Sequence, residues 1–286
     1  MAIWRWLNKL PWFERWPLKL ALFLLGTALV LYPKVWLLPT WLGRIGDMNG
    51  VLDPGHPELA LLEQRVRAEL PAEPTAGATL RAVQQVVYER IPYGWDWEVW
   101  GVVEYLPTVA EVFEQGREDC DGRAVVAASL LRRMGHDAWL VSDLLHVWVQ
   151  TPEGETMSPT GAEKTLVATE TGTQATISAK LIRNAGRGLS YGVAVFPLSR
   201  ELCILALVCV LTMQPHSSIG RRVAGCLLLW VALDVLRESG RQAALAGAAD
   251  VGVGTWLGLA LAIAGWVLLA VRAAGRRHDS VAAPAE

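Results

Sequence analysis

Apolar positions fall into two regimes along this chain. In one they form long runs: residues 20–38, broken only by Pro33 and Lys34, then 197–213, 223–236 and 252–271. A helix rising 1.5 Å per residue needs roughly twenty apolar residues to cross hydrocarbon. The runs therefore predict transmembrane helices over 18–40, 196–214, 222–237 and 252–272. Arg200, Glu201 and Asp234 lie at or near the ends of the middle two and are read as snorkelling or packed against neighbouring helices. A signal peptide competes for the first run. It is followed, however, by Pro39-Thr40-Trp41-Leu42-Gly43 rather than a small-residue cleavage pattern, which favours an uncleaved anchor.

In the other regime, residues 41–195, apolar positions recur at helical or strand spacing. Leu59, Leu62, Val66 and Leu70 mark a helix over 57–70 that Pro71 ends, and Pro71 to Pro74 form a linker. Leu80, Val83, Val87 and Ile91 mark a second helix over 79–90, closed by Pro92, and an irregular aromatic stretch follows from Tyr93 to Trp97. Thr108 and Glu111 have capping-box spacing for a short helix stopping near Gly116. Ala124, Ala127, Ala128 and Leu131 give a buried helix over 121–134, with Gly135 as its stop. The period then changes. Strands are predicted over 138–142, 146–151 and 155–158, with Pro152-Glu153-Gly154 as a turn, and further strands over 166–169 and 175–181. Residues 186–192 read as a connector. The expected fold class is an α+β external domain with about four transmembrane helices.

Composition agrees with membrane attachment: 52% of the 286 residues are hydrophobic and 19% charged. Basic residues mark three segments that four spans place on one side: 1–17, the loop with Arg221 and Arg222, and the tail 273–286 preceded by Arg272. The positive-inside rule makes that side cytoplasmic and puts the main domain outside, as in a bacterial inner-membrane protein. Trp4, Trp6, Trp12 and Trp16, interleaved with Arg5, Lys9 and Arg15, suit an interfacial segment, so the lipid bilayer is an expected partner. Nucleic acid is not expected so close to an anchor. A formal net charge of −2 adds nothing about partners.

Cys120 is the one cysteine outside the C-terminal apolar runs, which hold Cys203, Cys209 and Cys226. It lies in Gly116-Arg117-Glu118-Asp119-Cys120-Asp121-Gly122-Arg123, at the predicted start of a helix. Unpaired amides and the helix dipole there favour a thiolate and can receive an oxyanion. His146, on the following strand, is a candidate base and acid. The bland alternatives are a small buried thiol and a satisfied core histidine. An external domain with one cysteine has no internal disulfide, and its free thiol is an oxidation liability unless protected or used.

The run from Asp119-Cys120-Asp121-Gly122-Arg123-Ala124, through Leu130 to Trp139, to His146-Val147-Trp148-Val149 resembles the transglutaminase-like superfamily, as does the aromatic lead-in at Tyr93. The resemblance covers residues 79–161. It implies a papain-like core, with Cys120 as nucleophile and His146 as base. It also implies acyl chemistry through a thioester on peptides or proteins: amide hydrolysis, peptide cleavage or cross-linking. The family's Asp-Pro-Thr stretch corresponds here to Met157-Ser158-Pro159-Thr160-Gly161, placing Ser158 where the third member, an aspartate, is expected. A hydroxyl orients an imidazole but cannot offset its charge. Asp143, Asp121 and Glu155 are the alternative acids, each also readable as a loop, cap or strand-end charge. The altered third position supports a second reading, a degenerate protein-binding or structural subunit of a membrane complex. No organic cofactor is implied. No metal is implied either, since His56, His136 and His146 lack ligand-like spacing.

Overall fold

A computed structural model describes residues 6–7, 9–143, 145–159, 164–176, 181–214, 217–246 and 252–271. Trp4, Arg5, Thr160, Gly161, residues 177–180, Arg272 and the tail 273–286 lie outside the described residues.

The chain opens with α1 (Trp12–Leu31) and α2 (Leu37–Gly46), then a 3-10 turn (Met48–Val51). Next come α3 (Glu58–Glu69), α4 (Ala76–Arg90), α5 (Asp96–Val99), α6 (Val109–Gln115) and α7 (Cys120–Arg133). Five strands follow: β1 (Trp139–Ser142), β2 (Val147–Thr151), β3 (Gly154–Thr156), β4 (Leu166–Thr169) and β5 (Gly172–Ala175). The chain then returns to helix in α8 (Leu181–Val195), α9 (Leu198–Thr212), α10 (Ile219–Ala246) and α11 (Val253–Ala270).

The axis of the core is α7. Ala124 to Ala128, Leu130 and Leu131 have no exposed surface, and a helix apolar on nearly every side must be enclosed. Leu59, Leu62 and Val66 of α3, Val83, Val86 and Val87 of α4, and Val109 and Val112 of α6 join its cluster, as do Leu140 and Val149 from the sheet. Asp119 caps α7 by accepting the Asp121 amide, and the chain leaves it through Gly135 at φ 90°. The capping box of Thr108 and Glu111 is formed.

The sheet is antiparallel with order β3-β2-β1-β4-β5, and Ser142 opposes Val147 where β1 turns into β2. That turn faces the N-terminus of α7, which sets the site. Val103 N–H donates to Leu31 O (3.0 Å), Tyr32 Oη to Glu104 O (3.1 Å) and Arg200 to Gly101 O (2.9 Å). These bonds tie α1 and α9 to the 100–105 loop.

Among the described residues the structure is 65% helical around one small five-stranded antiparallel sheet. A papain-like domain carrying four transmembrane helices is therefore not the architecture. Among the described residues one helix, α11, is long and apolar enough to cross a membrane; Gly188–Val195 and α9 pass that test only together, bent by 116°. Charge and length disqualify the other expected spans. Glu14, Arg15 and Lys19 lie within α1, and α9 has 15 residues. The long α10 carries Asp234, Arg237 and Glu238 in its length. Arg237 donates to Val193 O (3.0 Å) and Phe196 O (3.1 Å) and pairs with Glu201, so this charge joins helices to one another. The expected anchor over 18–40 is instead two helices separated near Pro33. The expected connector 186–192 is helical within α8, and the last strand lies earlier than expected, at Gly172–Ala175.

Candidate functional site

Cys120 is the first residue of α7, and His146 ends the turn between β1 and β2. Both line one cavity of about 410 Å³. The turn is built by Asp143, whose Oδ1 accepts the amides of Leu145 (3.0 Å) and His146 (2.9 Å), while its own amide donates to His146 O (3.2 Å). This brings Leu145 O to 4.0 Å from Cys120 Sγ and points the Val147 amide at the sulfur. The His146 ring lies 6.0 Å from that of Tyr191 in α8.

The rest of the wall is mostly aromatic. Tyr88 comes from α4, Tyr93 and Trp95 from the stretch after it, and Met157 and Pro159 from the exit of β3. Arg123, one turn beyond Cys120, fixes this wall: its guanidinium donates twice to Ile91 O (3.0 and 2.8 Å) and lies 4.7 Å from the Tyr88 ring and 5.0 Å from Tyr93. Burial, and then the Cys120 thiol, raise the phenol of Tyr93, keeping it protonated. Met157 sits at φ 64°, a conformation unfavourable to a side chain. Its amide is held there by Gln84 Oε1 at 3.1 Å.

Behind the thiol lies a cluster of carboxylates. Asp96, Glu118, Asp119 and Asp121 each place an oxygen within 4.8 Å of the others. Asp96 arrives because the 92–94 segment pairs with Glu118, Gly94 N–H donating to Glu118 O (3.2 Å) and Glu118 N–H to Pro92 O (3.0 Å). Glu118 accepts from Trp100 Nε1 and from the Asp119 amide (2.9 Å). Gly122 is required beside it: a Cβ there would stand 2.4 Å from Glu118 Cγ. Burial pushes Glu118 up to about 8, with Asp119 adding to the effect, and raises Asp96 and Asp121 well above the usual carboxylate range.

Cys120 feels the same environment. Burial first, then Asp119, with smaller contributions from Glu104 and Asp96, raises its thiol well above the ordinary value, and the Val147 amide works the other way. The helix N-terminus alone would favour the thiolate; burial and the carboxylates outweigh it. The thiol of Cys120 is therefore held in its protonated form.

The third expected position is placed differently. Ser158 is exposed and hydrogen-bonds Glu155, while its neighbours Met157 and Pro159 line the cavity. Glu155 accepts from Trp148 Nε1 (3.0 Å) and pairs with Lys164 (2.6 Å). Burial works upward on its carboxyl, but Lys164, Trp148 and Ser158 hold it below the usual range. Asp143 serves the turn and Asp121 the carboxylate cluster. Among the described residues no carboxylate lines the cavity.

Sequence reasoning missed Arg123, Tyr88, Tyr191 and the cluster. Arg123 was findable, since positions three apart on a helix share a face. Of the cluster only Asp121 was weighed, as an alternative third acid, and Asp96 lies 22 positions before Glu118. Comparison with family models, curated proteins and solved structures finds no match to this chain.

Proposed function

We propose that the chain is a membrane-attached thiol acyl-transfer enzyme acting on amide or acyl bonds of peptides or proteins. The observation that carries this reading is that Cys120 and His146, 26 positions apart, line one cavity. The sequence resemblance of residues 119–149 to the transglutaminase-like superfamily supports it. The sulfur attacks the carbonyl carbon, forming an S–C bond, as His146 accepts the thiol proton. The C–N bond then breaks, and His146 passes that proton to the departing amine. Water or a second amine attacks the thioester carbon, and the proton it loses restores the thiol by way of His146. The Val147 amide points toward the sulfur, near where negative charge develops, whereas the Asp121 and Gly122 amides at the start of α7 are taken up by the Asp119 and Asp121 carboxylates. Aromatic walls suit the apolar side chains of a peptide. Membrane attachment takes its support from α11.

The second reading, a binding module without turnover, is favoured by the upward-shifted thiol and the lack of a carboxylate in the cavity lining. Acylation by p-nitrophenyl acetate separates the two. The enzyme reading expects a stoichiometric burst of nitrophenol and an acetyl thioester on Cys120, slowed at least a hundredfold in His146→Ala. An absent burst, or one unaffected by His146→Ala, overturns it.

A further inference from the structure

The four carboxylates behind Cys120 form a group that no cationic side chain among the described residues offsets. Asp96 is 1% exposed and Glu118 0%. Among the described residues, none of the four pairs with a lysine or arginine; Arg117, the nearest in sequence, pairs with Glu98. Asp96 carries the decisive detail. Its Oδ2 accepts the Tyr105 amide, whereas Oδ1 is fully enclosed with no hydrogen-bond partner. A buried carboxylate oxygen without a donor costs free energy that a fold retains only where something else satisfies it. The oxygens of the group fit one ion: a cation bound at about 2.4 Å sets opposite ligands roughly 4.8 Å apart, and all four lie within 4.8 Å of one another.

We infer that Asp96, Glu118, Asp119 and Asp121 bind a hard divalent cation of the calcium or magnesium class. An all-carboxylate donor set with no imidazole selects such ions over zinc or copper. The ion fastens the 94–96 segment to the loop that starts α7, a role that exists whether or not Cys120 turns over substrate. It supplies the positive charge that the four side chains otherwise lack.

The test uses the full chain in detergent, stripped with a chelator and titrated separately with calcium chloride and magnesium chloride, followed by calorimetry and thermal unfolding. One equivalent of at least one ion is expected to bind saturably and to raise Tm by about 5–10 °C at a hundredfold excess over Kd. Asp96→Asn and Glu118→Gln are expected to weaken binding at least tenfold. In chelator the same variants should keep a Tm within about 5 °C of the native chain, because each amide is nearly isosteric with the acid it replaces, and this shows that they fold. Cys120→Ala should bind as the native chain does, which separates this site from the acyl chemistry. Absence of saturable binding by both ions, through protons shared within the cluster, overturns the inference. So does binding that Asp96→Asn and Glu118→Gln leave unchanged.

Discussion

The thiol of Cys120 lies 4.0 Å from the carbonyl oxygen of Leu145, the residue before His146. A helix start and a strand turn thus meet sulfur to backbone, and Asp143 holds the turn in that position through the amides of Leu145 and His146. The cavity they share is closed by aromatic rings rather than by an acid.

Ser158 was expected from the sequence resemblance to stand at the third catalytic position, but its hydroxyl is engaged by Glu155 and it does not line the cavity. Ser158→Ala is therefore expected to leave the iodoacetamide rate at Cys120 within about twofold of the native chain, since no bond to the reacting groups is removed. Peptide mass spectrometry of timed quenches checks this, and a tenfold loss would restore Ser158 to the site.

Gly122→Ala pits helix propensity against a steric contact. Alanine gains about 1 kcal/mol inside a helix, yet its Cβ would meet Glu118 Cγ at 2.4 Å and Cβ at 2.8 Å. Glu118 is held at both ends, by Trp100 and by the Asp119 amide, so it cannot swing aside freely. The variant is expected to lose about 1–3 kcal/mol overall. Denaturant unfolding measures the balance, and a net gain would show that Glu118 is loosely held.

Much of the core was legible because it depends on local pattern. The Ala–Leu face of α7, the Thr108–Glu111 box and the Gly135 stop were each readable within one or two helical turns, and the structure has all three. The count of four spans failed where hydropathy averages over charge: Arg237 lies in α10 because Glu201 and the Val193 and Phe196 carbonyls at the end of α8 receive it. The last strand was misplaced because Thr- and Ala-rich sequence sets no clear period. At the site, the residue types and their order pointed to Cys120 and His146, which the structure places on one cavity. The carboxylate cluster was not, since only the folding of residues 92–96 against residue 118 brings Asp96 to it.

The buried acids set the sign of a pH effect in chelator. Glu118 titrates near 8 in the fold, against 4.5 ordinarily, with burial the larger cause and Asp119 the next; Asp96 and Asp121 shift the same way. The native state therefore holds protons that the unfolded chain has lost. This stabilisation is complete below the ordinary carboxylate value and disappears as pH rises through the folded one. Stability of the stripped chain is expected to fall by about 2–4 kcal/mol between roughly pH 5 and pH 8, and Glu118→Gln should flatten the slope. Denaturant midpoints across that range measure it. A rise in stability over the same range would mean that the acids are already ionised in the fold.

The most direct test of the central claim, that His146 serves Cys120 as a base, is the rate of iodoacetamide alkylation at Cys120 across pH, followed on the Cys120 peptide in native and His146→Ala chains. The pair reading expects the native thiol to react at least about tenfold faster than the variant near neutral pH, the two rates converging once pH alone ionises the sulfur. Equal rates at every pH would contradict it, leaving Cys120 an ordinary partly buried thiol beside a histidine that does not act on it.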